Sequence, residues 1–293
     1  MAEARAALEM EIVEGSHELF RRVADWQREG AKVGFVPTMG ALHEGHLALV
    51  RRASELTDKV IVSVFVNPTQ FGPNEDFDKY PRDPQQDAEK LQPAGCDLLF
   101  LPEIATIYPE GHCTFVDVEG ASDGFEGDQR PGHFRGVATV VSQLFNLVQP
   151  DVAVFGEKDA QQVAVVRRLV RDLHVPVKIE ALATVREDDG LALSSRNAYL
   201  STEDRQAATV LYRALNAAQK VIEAGERSAD TVRAILAEVL ASESRLIVDY
   251  ADVVDAESFK PVEYLDGRIV IPVAGRLAAT RLLDNLQIDM ENL

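Results

Sequence analysis

Apolar and polar positions alternate along the chain in two textures. Up to about residue 183, short and nearly continuous apolar runs alternate with longer amphipathic stretches. KVGFVP (Lys32–Pro37) reads as a buried strand ended by proline. From about Gly45 to Asp58, the positions Leu47, Leu49, Val50, Ala53 and Leu56 draw one helical stripe. KVIVSVFV (Lys59–Val66) is β-branched and almost wholly apolar, as an interior strand covered on both faces should be. The pattern continues with a helix over Pro84–Leu91 and a strand over Asp97–Leu101. A helix over Gly136–Val148 and a strand over Val152–Phe155 come next, then a helix over Ala160–Leu173 and a strand over Val177–Ala183. Strand, helix, strand at such spacing makes βαβ units on a parallel sheet. The expectation is an α/β fold, a Rossmann-type doubly wound parallel sheet filling residues 1–185. Past Arg186 the texture changes. Two amphipathic helices, Thr202–Ala224 and Ser228–Ser242, flank Gly225-Glu226-Arg227, and Leu246–Val254, Arg268–Val273 and Arg281–Asp289 read as antiparallel strands. Residues 186–293 are thus expected to form a smaller α+β C-terminal domain, placed to act as a lid. No internal repeat is visible.

Composition narrows the class. With 293 residues, 46% hydrophobic and 27% charged, the chain can bury a real core and is ordinary globular protein. No apolar run approaches the ~18 residues that cross a bilayer, and Met1–Glu14 lacks the apolar stretch of a signal peptide, so a cytoplasmic location is expected. The net charge of -18 opposes unaided binding to nucleic acid or anionic membrane. A local group of cations can still reverse the field in a cleft. Two cysteines, Cys96 and Cys113, exclude a disulfide framework and four-cysteine zinc sites.

Candidate chemistry sits where strands end. PTMGALHEGH (Pro37–His46) closes a strand, turns on glycine and opens a helix, which aims N–H groups and a positive dipole end at an anion. His43 and His46, three apart, place both rings on one side of the first turn and suit the charge that builds on a phosphate during transfer. A plain surface pair and a zinc pair are the alternatives, although HExxH spacing and a third ligand are missing. Neither a Walker loop nor GxGxxG occurs. Asn67 and Gln70, in the NPTQFGP that follows the strongest strand, suit a small polar ligand or a simple exposed turn. In FGEKD, Lys158 is a point charge fit for phosphate, and Asp159 could cap a helix or take a ribose hydroxyl; Gln161 and Gln162 follow in the next turn. Ser194, Ser195 and Arg196 offer two hydroxyls and a forked cation, in a loop that either closes over nucleotide or links domains. RPGHFRG (Arg130–Gly136) either holds a carboxylate or caps a helix.

In order, PTMGALHEGH, VSVFVNPTQFGPNEDFDKYPR, RPGHFRGVATVVSQLFNLVQPDVAVFGEKD, GLALSSRNAYLS and RLLDN resemble the pantothenate synthetase (pantoate–β-alanine ligase) family across essentially the whole chain. That family is similar to the class I aminoacyl-tRNA synthetases and nucleotidylyltransferases, whose HIGH signature stands here at His43-Glu44-Gly45-His46. The resemblance implies a two-step ligase of pantothenate and coenzyme A biosynthesis. ATP and pantoate give pantoyl adenylate and pyrophosphate, and β-alanine then displaces AMP. Matching positions imply that His43, His46, Lys158, Ser195 and Arg196 bind the triphosphate and stabilise its transition state, with His46 at the place usually labelled proton donor. They further imply a nucleotide site lined by Pro37, Met39, Gly40, Gly156, Asp159, Val185, Leu193 and Ser194. Asn67, Gln70, His133 and Gln162 would hold pantoate and β-alanine. Mg2+ would arrive on the ATP phosphates with no dedicated protein ligands, and the protein would be a homodimer. A nucleotidylyltransferase that keeps the nucleotide on its product, and a nucleotide sensor without turnover, share the histidine signature.

Overall fold

The structure is a computed structural model and describes residues 10–73 and 75–293. The first nine residues of the stretch read above as lacking a signal peptide lie outside it, as does Asn74 within the second matching run. The chain divides into two compact units. One comprises residues up to Glu119, Glu126–Gly156 and Val165–Leu182; the other comprises Gly120–Phe125, Glu157–Ala164 and Ala183–Leu293. This differs from two uninterrupted stretches at 1–185 and 186–293, for a reason visible in the second unit. There the Gln161 amide donates to the carbonyls of Ala121, Asp123 and Gly124 at 3.1–3.2 Å, and Asn285 donates to those of Glu157 and Lys158.

In the first unit, β1 (Glu11–Val13) and α1 (Ser16–Arg28) precede β2 (Val33–Thr38), α2 (Glu44–Leu56) and β3 (Lys59–Val64). Next come α3 (Pro84–Ala94), β4 (Leu98–Phe100), the single turns α4 (Ile104–Ile107) and α5 (Phe125–Gln129), and the long α6 (His133–Val148). β5 (Val152–Gly156), α7 (Ala160–Asp172), whose first residues Ala160–Ala164 belong to the second unit, and β6 (Lys178–Leu182) follow. The six strands lie in the order β1-β4-β3-β2-β5-β6, and every pairing is parallel. Helices must cover both faces of such a sheet, which is why Val60, Ile61 and Val62 are all fully buried. The order reverses between β2 and β5, and at such a switch the crevice beyond the strands' carboxyl ends is where α/β sheets take ligands. The expectation missed β1 and α1. Leu19, Val23 and Trp26 bury one face of α1, and the Lys59 ammonium lies 5.4 Å from the centre of the Trp26 ring.

In the second unit, α8 (Thr202–Ala207), α9 (Thr209–Glu223) and α10 (Ala229–Ala241) lead to β7 (Leu246–Ala251), β8 (Val254–Asp255), β9 (Arg268–Leu277) and β10 (Thr280–Asp289). β10, β9 and β7 pair antiparallel in that order, and β8 also pairs with β9. Leu211, Leu215 and Ile222 of α9 share a core with Leu236 of α10 and with Ile271 and Val273 of β9. The helix expected over Thr202–Ala224 is interrupted at Ala208, so that α8 and α9 are separate. Among the described residues, no helix is long and apolar enough to cross a membrane.

Candidate functional site

β2 ends at Thr38, and the chain must turn sharply to start α2. Gly40 (φ 86°) and Ala41 (φ 51°) both adopt left-handed backbone there. At Gly40 a side chain is also sterically barred: its Cβ would lie 2.9 Å from Val64 and 3.0 Å from Asp87. The turn is held from α3. Asp87, only 2% exposed, accepts the N–H groups of Ala41 (3.1 Å) and Leu42 (2.8 Å), while Lys90 donates to the Leu42 carbonyl at 2.8 Å. Burial pushes the Asp87 carboxyl above its ordinary value, and the two backbone N–H groups pull it back.

So fixed, the chain presents His43 as the N-cap of α2. Its Nδ1 accepts the Gly45 N–H at 3.1 Å, and the His43 N–H donates in return to His46 Nδ1 at 3.3 Å. Imidazoles here play the parts that Ser and Glu play in an ordinary capping box. The ring centres are 4.1 Å apart, so the two rings do share one side of the first turn. Because both Nδ1 atoms accept, each neutral ring carries its proton on Nε2.

β3, next to β2 in the sheet, leads into a second cluster. Asn67 caps the single turn Pro68–Gln70. Its Oδ1 accepts the Thr69 N–H (3.3 Å), the Thr69 hydroxyl (2.9 Å) and the Tyr108 hydroxyl (2.8 Å). Its Nδ2 donates to the Gly136 carbonyl (3.1 Å) and to Gln70 Oε1 (3.0 Å). A carbonyl can only accept, so the Asn67 amide has one orientation, and Gln70 inherits the opposite one, with Nε2 directed at Met39 Sδ (3.1 Å). Gly136 permits the approach of α6: a Cβ there would sit 2.5 Å from the Thr69 carbonyl oxygen. His133, 8% exposed, contacts the Gln70 carbonyl through Nδ1 at 2.9 Å and takes an Arg130 N–H on Nε2 at 3.1 Å. Arg130 also grips Glu75 with two nitrogens, at 2.9 and 2.7 Å. Burial and the adjoining guanidinium push His133 down to about 4, so it is neutral in the native state. Asn67 and His133, expected among the groups that hold substrate, thus engage the protein with all their polar side-chain atoms.

In the second unit, Lys158 lies in the single turn Glu157–Asp159, its side chain 20% exposed and its Nζ 3.9 Å from Asp159. Val185 and Leu193 close a tight loop through the Leu193 N–H to Val185 carbonyl bond of 2.9 Å. Gly190 (φ 92°) turns that loop where a Cβ would overlap the Tyr212 ring. The Ser194 hydroxyl then accepts the Arg196 N–H at 3.3 Å and caps the turn Ser195–Tyr199. Lys158, Ser194, Arg196, Arg281 and Asp284 line one cleft. Gln162 is half-buried beside the fully engaged Gln161.

The expected residues therefore gather in three places. Met39, Gly40, His43 and His46 follow β2, with Pro37 as that strand's penultimate residue; Asn67, Gln70 and His133 form the amide cluster; Lys158, Ser194 and Arg196 share the cleft, with Ser195 beside them in the chain. Gly156 ends β5 with nothing within 4 Å of where a Cβ would stand. Among the described residues, no group of three His, Cys, Asp or Glu side chains is placed to hold a metal ion. Glu75, Asp87, Tyr108 and Asn285 also fasten these clusters, though no motif singles them out. Their contacts span 55, 46, 41 and 128 residues, so no local pattern signals them.

The sequence profile of a family described as Pantoate-beta-alanine ligase matches residues 11–287. A pantothenate synthetase of Heliobacterium modesticaldum is 51% identical over 281 residues, covering 96% of this chain and all of that one. One of Paramagnetospirillum magneticum is 52% identical over 278 residues, covering 95% and 98%. Among solved structures, a pantothenate synthetase from Thermus thermophilus superposes with a TM-score of 0.89 at 51% identity, covering 94% of this chain and 99% of that one. The pantoate-beta-alanine ligase from Francisella tularensis, complexed with beta-gamma ATP and beta-alanine, gives 0.76 at 33% identity, covering 96% and 98%.

Proposed function

The chain belongs to the pantoate–β-alanine ligase family, and on that premise we propose how its residues divide the ATP-dependent joining of pantoate to β-alanine. In the first step a pantoate carboxylate oxygen bonds to the α-phosphorus of ATP, and the bond to the bridging oxygen of pyrophosphate breaks. In the second, the β-alanine amine attacks the acyl carbon of the adenylate, AMP leaves with the C–O electron pair, and the amine loses a proton. Neither step needs covalent help from the protein; position and charge do the work.

The observation that carries the reading is the reciprocal histidine cap. With both Nδ1 atoms engaged, His43 and His46 meet the phosphates through Nε2–H, as hydrogen-bond donors at a helix N-terminus. To act as a general acid, a ring must first be imidazolium, which needs a proton on Nδ1 and therefore breaks the cap. His46 accordingly stabilises developing charge and does not transfer a proton. Lys158, Ser195 and Arg196 take phosphate oxygens. Pro37, Met39, Gly40, Gly156, Asp159, Val185, Leu193 and Ser194 line the nucleotide. Gln70, with its amide orientation fixed, offers Nε2–H to an acceptor on pantoate, and Gln162 serves the same acid. Asn67 and His133 act by holding Gln70.

Mg2+ fits as a passenger of the nucleotide. It would bind through phosphate oxygens and its own waters. When bound it shields phosphate charge. We place the protein in the cytoplasm as a homodimer. The decisive assay is isotope exchange between pyrophosphate and ATP. Exchange that requires pantoate, followed by AMP release only with β-alanine, is expected; exchange without pantoate, or a product that keeps the nucleotide, would overturn the reading.

A further inference from the structure

The matching run RLLDN near the end of the chain has received no role so far. In the structure it lies in β10, and two of its residues reach the segments that carry Lys158, Ser194 and Arg196. Asn285 is 5% exposed. Its single amide nitrogen donates to two consecutive carbonyls, those of Glu157 and Lys158, each at 2.8 Å. Both hydrogens of that nitrogen are thus committed to the backbone that carries the Lys158 side chain. No acidic or aliphatic side chain of similar size could supply two donors at that point.

The neighbouring Asp284 works on the other wall. Its carboxylate takes two Arg186 nitrogens at 2.6 and 3.0 Å. Arg186 also donates to the Gly190 carbonyl at 3.0 Å and to the Asn285 carbonyl at 3.3 Å, and its guanidinium lies over the Tyr212 ring at 4.6 Å. Arg186 and Gly190 belong to the tight loop that delivers Ser194 and Arg196. Two adjacent residues of one strand therefore hold both the Lys158 turn and the base of the Ser194–Arg196 loop. Lys158, Ser194, Arg196 and Asp284 all line the same cleft. β10 acts as a gauge between the cations, and a gauge matters because a misplacement near 1 Å can cost about 10²-fold in rate.

We propose that Asn285 is a positioning residue for adenylation, acting through the backbone of Lys158, with the Arg186–Asp284 pair holding the opposite wall of the cleft. The inference rests on Lys158 addressing the phosphates. Asn285→Asp keeps the shape, removes both donors and sets a carboxylate against two carbonyls. It is expected to lower pantoate-dependent pyrophosphate exchange on the order of 10²-fold, with the KM for pantoate unchanged and the native circular-dichroism spectrum retained. Asn285→Ala, which lacks the repulsion, is expected to lose about tenfold and carries the same test if the aspartate variant does not fold.

The deciding measurement is a double-mutant cycle on the exchange rate with Lys158→Ala. If Asn285 acts through Lys158, either Asn285 variant adds little to the loss in Lys158→Ala. Two outcomes overturn the proposal alone: a near-normal rate in the Asn285 variants while Lys158→Ala is crippled, or losses that multiply in the double variant, as a merely structural residue would give. A near-normal rate in Lys158→Ala overturns the underlying reading of Lys158, and the proposal falls with it.

Discussion

The turns after β2 and β3 leave neighbouring strands of one sheet, yet they are built by opposite rules. After β3, Asn67 and His133 commit their polar side-chain atoms to protein partners, Gly136 lets a helix press onto the chain, and Arg130 and Glu75 seal the edge. After β2, each imidazole gives Nδ1 to the helix terminus, and in the proposed reaction it gives Nε2–H to the phosphates. The contrast follows from what each must recognise. A small hydroxy acid is discriminated by donors and acceptors of fixed orientation, which need a rigid buried frame. A polyphosphate changes its charge distribution during reaction, and it is served by dipole ends and side chains at a more open surface.

If the division holds, the largest effect belongs to the open turn and falls on rate. His46→Ala should lower pyrophosphate exchange by roughly 10²–10³-fold, or about 3–4 kcal/mol, with the KM for pantoate little changed. A loss confined to KM would merge the two regions into one binding surface.

The buried cluster should answer to acid instead. Burial holds native His133 down at about 4, against 6.5 for an ordinary histidine, so that it is neutral above that pH. Between pH 6.5 and 4 the unfolded chain takes up a proton that the native chain refuses. Stability should therefore fall as the pH drops through that window, by about 3 kcal/mol in all, with little further change from this group above or below. Urea midpoints of the wild type and His133→Asn across roughly pH 4–7 test this; parallel curves would remove the histidine from the account.

Removing Arg130 should cost about 2 kcal/mol of stability, less than a fully buried pair because Glu75 keeps 24% exposure. Arg130→Met should also raise the KM for pantoate while leaving that for ATP unchanged, and equal changes in both would contradict the division. The smallest effect is expected from Tyr108→Phe. It removes one of three donors to Asn67, worth about 1 kcal/mol, and should appear as a several-fold rise in the KM for pantoate in steady-state assays.

The sequence showed the frame of this arrangement better than its fastenings. The sheet strands β2 to β6 and the longer helices α2, α3, α6 and α7 were legible because their apolar runs have the periods of buried strand and amphipathic helix, whereas the single turns α4 and α5 are too short to show one. β1 is only three residues long, and its register with β4 depends on a distant partner, since Glu11 pairs with Leu98. The break at Ala208 gives no breaker signal, because alanine favours helix. That the two histidine rings lie together followed from their spacing; that they cap the helix with Nδ1 did not, since imidazole is an unusual cap. Asp87, Tyr108 and Asn285 act on segments that the chain reaches only after folding, and a window of neighbouring residues holds no trace of such contacts.

Trp26 is the chain's one tryptophan, and it is buried on α1 within the first unit. Light at the red edge of the protein's absorption, which excites indole and spares tyrosine, therefore reports on that unit and leaves the second one dark. A melt followed by tryptophan emission, laid over one followed by calorimetry, would show directly whether the two units of this enzyme come apart in one cooperative event or in two.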